Sequence, residues 1–120
     1  MKLPDRIYHG TTKHLWAKSI HAPSRICFTR NRADGVEYAY DFAASHDEGV
    51  LGVRPTPLLI TTRFRNLRGL RLLPDDATEA GAKRKLTWRE SLEIGGTFCV
   101  RGNIEDLKRR TQRTRLRVYK

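Results

Sequence analysis

The apolar residues of this chain come in short runs, and the size of those runs limits the fold more than any other feature. Ile7-Tyr8, Ile26-Cys27-Phe28, Leu58-Leu59-Ile60 and Phe98-Cys99-Val100 are each flanked by Arg, Thr, Gly, Pro or His. Runs this short, rich in β-branched and aromatic residues, are strand-sized and cannot fill the buried face of a long helix. Helical periodicity falls between them. The chain of 120 residues is of ordinary size for one domain, so 1–120 is read as a single unit.

Arg6 to His9 reads as a first strand, with Ile7 and Tyr8 as its apolar pair. In TKHLWAKSIH, Leu15, Trp16, Ser19 and Ile20 recur at helical intervals, opened by a Thr11 or Thr12 cap and ended by Pro23. RICFT (25–29) is a second strand. ADGVEYAYDFAASHD (33–47) is helical, with Val36, Ala39, Tyr40 and Ala43 as its stripe and Tyr38 and Phe42 an i,i+4 aromatic pair beside it. GVLGVRPTP (49–57) is loop. LLITTRFRNL (58–67) fits a strand and is the best candidate for a central one, with a short piece at 71–73 after it.

PDDATEAGAKRK (74–85) reads as a mobile polar connector. LTWRESLEI (86–94) is a short helix with Thr87 and Glu90 placed as a capping box. GTFCVRG (96–102) is a strand, NIEDLKRR a helical turn opened by Asn103, and TRLRVYK a last strand alternating at Leu116 and Val118. Strands outnumber helices without regular alternation. That is an α+β pattern, and no internal repeat is seen.

Charge carries the strongest message about partners. Lys and Arg number 24 against 13 Asp and Glu, a net +11. Arg63, Arg65, Arg68 and Arg71 cluster in RFRNLRGLR, and the tail after Asp106 holds Arg109, Arg110 and Arg113 among seven cations and no acid. Guanidinium forks match phosphates, so these seven arginines are the candidate nucleic-acid contacts, and a solvated basic face is the plain alternative. No segment nears the roughly 20 apolar residues of a membrane span, and MKLPDRIYHG is not a secretory leader, so the expectation is a cytoplasmic protein without a membrane partner. Cys27 and Cys99 sit in apolar runs and read as separate buried thiols. With His9, His14, His21 and His46 they form no ligand cluster, so no metal is expected.

Tyr8-His9-Gly10-Thr11, a helix, the strand Ile26-Cys27-Phe28-Thr29, and then Ala33 through Tyr38-Ala39 follow one another over roughly the first 45 residues. This order resembles the ADP-ribosyltransferase fold family, in the branch related to poly-ADP-ribose polymerases and diphtheria toxin. The resemblance implies a split antiparallel β-sheet core with short flanking helices, and NAD as substrate with no metal. It implies that Gly10 lets the backbone meet the carboxamide, that His9 donates to the adenosine ribose, and that Tyr38 stacks on nicotinamide. Thr11, Phe28, Thr29 and Arg30 would complete the NAD contacts.

The family's late glutamate would fall on or near Thr97, which is therefore placed with His9 and Tyr38 in the catalytic set. Glu93 lies four residues before Thr97, Glu105 and Asp106 lie beyond the strand, and Cys27 stands where relatives often carry tyrosine. The implied activity is mono-ADP-ribosyl transfer to a macromolecule, with nucleic acid or a nucleic-acid-associated protein as acceptor. A toxin or conflict role would bring an antitoxin or other inhibitor protein as partner. Two alternatives stand beside it. One is an RNA 2′-phosphotransferase-like enzyme, to which the His-Gly-Thr element is also similar and for which Arg30 and Arg32 would hold phosphate. The other is a non-catalytic basic nucleic-acid-binding module. Residue by residue, His9 can equally be a strand histidine with a backbone partner, Tyr38 a core aromatic and Gly10 a turn glycine.

Overall fold

The computed structural model describes residues 2–18, 25–45, 55–102 and 104–116. The four short apolar runs become the strands β1 (Arg6–Thr12), β2 (Arg25–Thr29), β3 (Pro57–Arg63) and β5 (Thr97–Arg101), and two shorter strands, β4 (Arg71–Leu73) and β6 (Gln112–Arg115), join them. They form one six-stranded sheet in the order β4-β5-β2-β1-β3-β6, antiparallel at every pairing. The helices are α1 (Lys13–Lys18), α2 (Arg32–Ser45), α3 (Asp76–Ala82), α4 (Trp88–Gly95) and α5 (Ile104–Arg109), with a 3-10 turn at Phe64–Leu67. The α+β expectation is met.

The pairing is uneven. β1 registers with β3 through seven residue pairs and β2 with β5 through five, whereas β1 and β2 share the single pair Tyr8 with Thr29. The sheet opens beyond that pair. Alternation along the strands sends Ile7, Ile60, Ile26, Phe28, Phe98 and Val100 to one face, where Trp16, Leu67, Leu92 and Leu107 complete a buried cluster. Rings of Phe64, Trp88 and Phe98 meet there at centroid distances of 5.6 to 6.1 Å. On the other face α2 crosses β1 and β3. Its backbone approaches so closely that a Cβ on Gly10 would stand 2.1 Å from the Gly35 carbonyl oxygen and 2.6 Å from the Ala39 nitrogen. Gly10 is thus fixed by helix packing, as the smallest residue under an arriving backbone.

Local chemistry explains the helix ends. Thr12 Oγ1 accepts from Leu15 N at 3.2 Å at the start of α1. The Thr87–Glu90 box forms in both directions, with bonds of 3.2 and 3.0 Å, and closes α4 at its N-terminus.

Several expectations are corrected. β1 continues to Thr12, so His9 and Gly10 lie within a strand and not at its end. Residues 76–82 fold into α3, because Asp75 caps the helix by accepting from Ala77 N at 2.9 Å. β3 is an interior strand, between β1 and β6, but it ends at Arg63 and residues 64–67 turn into the 3-10 helix; β6 begins at Gln112, ahead of the expected strand. The cysteines are not free: Cys27 and Cys99 are cross-strand partners joined in a disulfide between β2 and β5. Ser19, Ile20, His21, Pro23, His46, most of the 49–57 loop, Asn103, Val118 and the end of the tail lie outside the described residues. Among the described residues no helix is long and apolar enough to cross a membrane.

Candidate functional site

A cavity of about 240 Å³ lies over the β1/β2 opening. Its floor comes from β1 (Tyr8, His9, Gly10), β2 (Cys27, Phe28, Thr29) and Thr97 of β5; its walls come from Tyr38 and Phe42 of α2 and from Asp75 and Ala77 at the head of α3. A neighbouring lobe of about 350 Å³ runs between α2 and α3 toward Gly81 and Ile94. Tyr38, Asp75, Ala77 and Thr97 line both lobes, so the two form one cleft.

His9 stands at the opening. Its Nδ1–H donates to the Cys27 carbonyl oxygen at 2.7 Å, serving a β2 carbonyl at the point where β1 leaves the ladder. The ring packs between Trp16 and Phe28, with centroid distances of 5.9 and 5.8 Å. Burial pushes its pKa below the ordinary 6.5, and the bond to the Cys27 carbonyl opposes that only in part. The imidazole is therefore neutral, and with Nδ1 donating, Nε2 is an acceptor. In this tautomer a hydroxyl meeting Nε2 would donate to His9.

Tyr38 and Phe42, one helical turn apart, present exposed rings to the cleft at 48% and 41% of their full accessibility. Tyr38 is thus not a core aromatic. The turn spacing of a helix places both rings on the side of α2 that overlooks β1 and β2.

Asp75 is the residue that sequence reasoning missed. A carboxylate oxygen of Asp75 and the two disulfide sulfurs lie within 4.8 Å of one another. With the sulfurs bonded together neither is a thiolate, so this trio is poor as a metal site. The carboxylate is held by its surroundings. Its own Oδ1 caps α3, its backbone N donates to Ser91 Oγ at 2.9 Å, and Ser91 Oγ donates to the Thr97 carbonyl oxygen at 2.7 Å. Thr97 Oγ1 in turn meets Thr78 Oγ1 at 3.2 Å. The only signal in the sequence was the Asp-Asp pair at the head of the supposed connector.

The remaining predicted residues divide. Phe28 and Thr29 are buried in the floor, and Thr29 Oγ1 accepts from Asn31 N at 3.2 Å. Thr11 is buried and does not line the cleft. Arg30 also lies outside the lining; its Nε comes within 3.6 Å of where a Gly96 Cβ would sit, beside Thr97. The arginines do not form one patch. Arg63, Arg65 and Arg110 line a separate cavity near β6, Arg68 borders an apolar groove below the 3-10 turn, and Arg71 pairs with Arg101 on the opposite sheet edge. Arg109 on α5 and Arg113 on β6 are exposed and line neither cavity.

No family model, curated protein or solved structure matches this chain.

Proposed function

We propose that the cleft over the β1/β2 opening binds NAD and that the protein transfers ADP-ribose from it to a macromolecular acceptor, on an ADP-ribosyltransferase-like fold. One observation carries the reading: an exposed aromatic face, a carboxylate and a hydroxyl (Tyr38, Asp75 and Thr97) meet where two lobes join. Lobes of about 240 and 350 Å³ suit the two halves of a dinucleotide. The order of strand, helix and aromatic elements that resembles the family supports the same reading. The 2′-phosphotransferase reading needs arginines inside the cleft, and no Arg or Lys is among the described residues lining either lobe.

NAD supplies a glycosidic bond whose nicotinamide leaves as a neutral molecule. The residues of the chain then have separable tasks. Tyr38 stacks on a flat ring and keeps water from the reacting carbon. Neutral His9 accepts a ribose hydroxyl through Nε2 and fixes its pose. The Asp75 carboxylate faces the positive charge that develops on the ribose carbon as the bond to nitrogen breaks. The same carboxylate accepts the proton from the acceptor oxygen or nitrogen as the new bond to that carbon forms. Thr97 hydrogen-bonds at the junction of the lobes.

Titration calorimetry tests the pocket directly. NAD binds the wild-type protein saturably, and Tyr38→Ala weakens binding about five- to ten-fold by loss of stacking. Absence of saturable binding to the folded wild-type protein would overturn the proposal.

A further inference from the structure

Away from the NAD cleft, a second cavity of about 240 Å³ opens beside the β1–β3–β6 side of the sheet. Four of its lining residues are arginines, drawn from three different stretches of chain: Arg6 from β1, Arg63 and Arg65 from the end of β3 and the 3-10 turn, and Arg110 from the segment before β6. Asn66 and Gln112 add side-chain amides, Thr61 adds a hydroxyl, and no carboxylate is among the described lining residues.

The site is built and not a chance of composition. Arg6 and Arg63 are direct cross-strand partners, a placement that sets like charges side by side and costs stability unless an anion joins them. Asp5 reaches Arg63 at 3.7 Å, and both side chains are exposed, so that ion pair is weak. The rear wall is rigid. Thr62 Oγ1 donates to the Arg110 carbonyl oxygen at 2.9 Å, Asn66 Nδ2 donates to Thr62 Oγ1 at 3.2 Å, and Arg110 donates to the Asn66 carbonyl oxygen at 3.0 Å. These bonds lock the 3-10 turn to the chain after α5 and hold the guanidiniums around one concavity.

We propose that this cavity binds the sugar–phosphate backbone of nucleic acid. Arginine forks accompanied by Asn, Gln and Thr donors are the groups that contact phosphate oxygens and sugars. Clustering of cations, with no acid among the described lining residues, gives a local field that the overall charge of +11 reinforces. With no aromatic residue among its described lining, the cavity grips backbone and does not read bases. This binding is independent of the NAD reading. If both hold, the acceptor is a nucleic acid docked at one cavity and modified at the other.

The test is fluorescence anisotropy without NAD, using a fluorescein-labelled single-stranded DNA of roughly 20 nucleotides and its duplex, at several salt concentrations. The variant Arg6→Ala/Arg63→Ala/Arg65→Ala is compared with a charge-matched control, Lys83→Ala/Lys85→Ala/Arg89→Ala, from the α3–α4 side. The cavity variant should lose about ten-fold or more in affinity and about two units of salt slope, while the control changes by about two-fold or less. Equal losses in the two variants, or none in either, would overturn the proposal. Polyglutamate competing as well as unlabelled DNA would also overturn it, since the cavity would then take any polyanion. Should the triple variant unfold, Arg65→Ala alone, on an exposed side chain of the 3-10 turn, gives the same comparison against Arg89→Ala.

Discussion

The Nδ1 of His9 donates to the carbonyl oxygen of Cys27 at 2.7 Å, across the place where β1 and β2 share only one registered pair. That contact ties the candidate site to the fold. A side chain serves a strand carbonyl where the sheet has opened, and the opening is the floor of the cleft.

Acid should weaken the fold through this histidine. Burial lowers the His9 pKa below 6.5, so the unfolded chain binds its proton first as pH falls. The contribution is complete above about pH 6.5 and is lost progressively below it, with a slope approaching ~1.4 kcal/mol per pH unit. Urea melts from pH 7.5 to 5 should show that slope in the wild type and a flatter one in His9→Gln. An identical pH profile in the two proteins would remove the buried neutral imidazole from the account.

Gly10→Ala should be among the most damaging small substitutions in the chain. Its Cβ would stand 2.1 and 2.6 Å from backbone atoms of α2, which cannot shift without moving the helix. The expected cost is about 3 kcal/mol or more, at the upper end of overpacking. Gly81→Ala is the contrast: it lies within α3 with nothing within 4 Å of the added Cβ, so it should be neutral or stabilising by up to ~1 kcal/mol. Thermal melts of the two variants side by side test both statements.

Reduction of the Cys27–Cys99 disulfide should lower stability by about 2–4 kcal/mol, because the bond closes a loop across a separation of 72 residues. For a domain of this size the melting temperature should fall by roughly 10 °C in dithiothreitol. An unchanged melting temperature with both thiols titratable would show that the bond adds nothing to the fold.

Asp75→Asn separates structure from chemistry. Asparagine still caps α3 through its side-chain oxygen, so the melting temperature should hold. Transfer activity should fall about 100-fold or more with the loss of the carboxylate. Full activity in the folded variant would exclude Asp75 from the reaction.

Local rules were legible in the sequence, and contacts between distant segments were not. The strand runs, the Thr12 cap and the Thr87–Glu90 box follow from residues a few positions apart, and each appears in the structure. Tyr38 and Phe42 were legible as a pair, since a helix fixes their spacing. The cysteine pairing was hidden because it depends on the register of β2 against β5. Asp75 was hidden because a polar stretch gives no sign that α3 will fold against α4, through Ser91, and bring its cap into the cleft. Gly10 lines the cleft floor, and its need to be glycine also comes from α2 packed over it, a packing that only the tertiary fold determines. For the same reason Arg6, isolated in sequence from the arginine cluster, joins Arg63 and Arg65 only through strand register.

The most direct test is incubation of the purified protein with NAD labelled in its adenylate phosphate, together with total nucleic acid or, separately, total protein from a bacterial lysate. Released nicotinamide and transferred label are measured in parallel, before and after nuclease or protease. The account predicts label on nucleic acid that nuclease removes, nicotinamide released in equal amount, and loss of both in Asp75→Asn. Neither label nor nicotinamide from the folded wild-type protein with either pool would contradict ADP-ribosyl transfer as the function of this cleft.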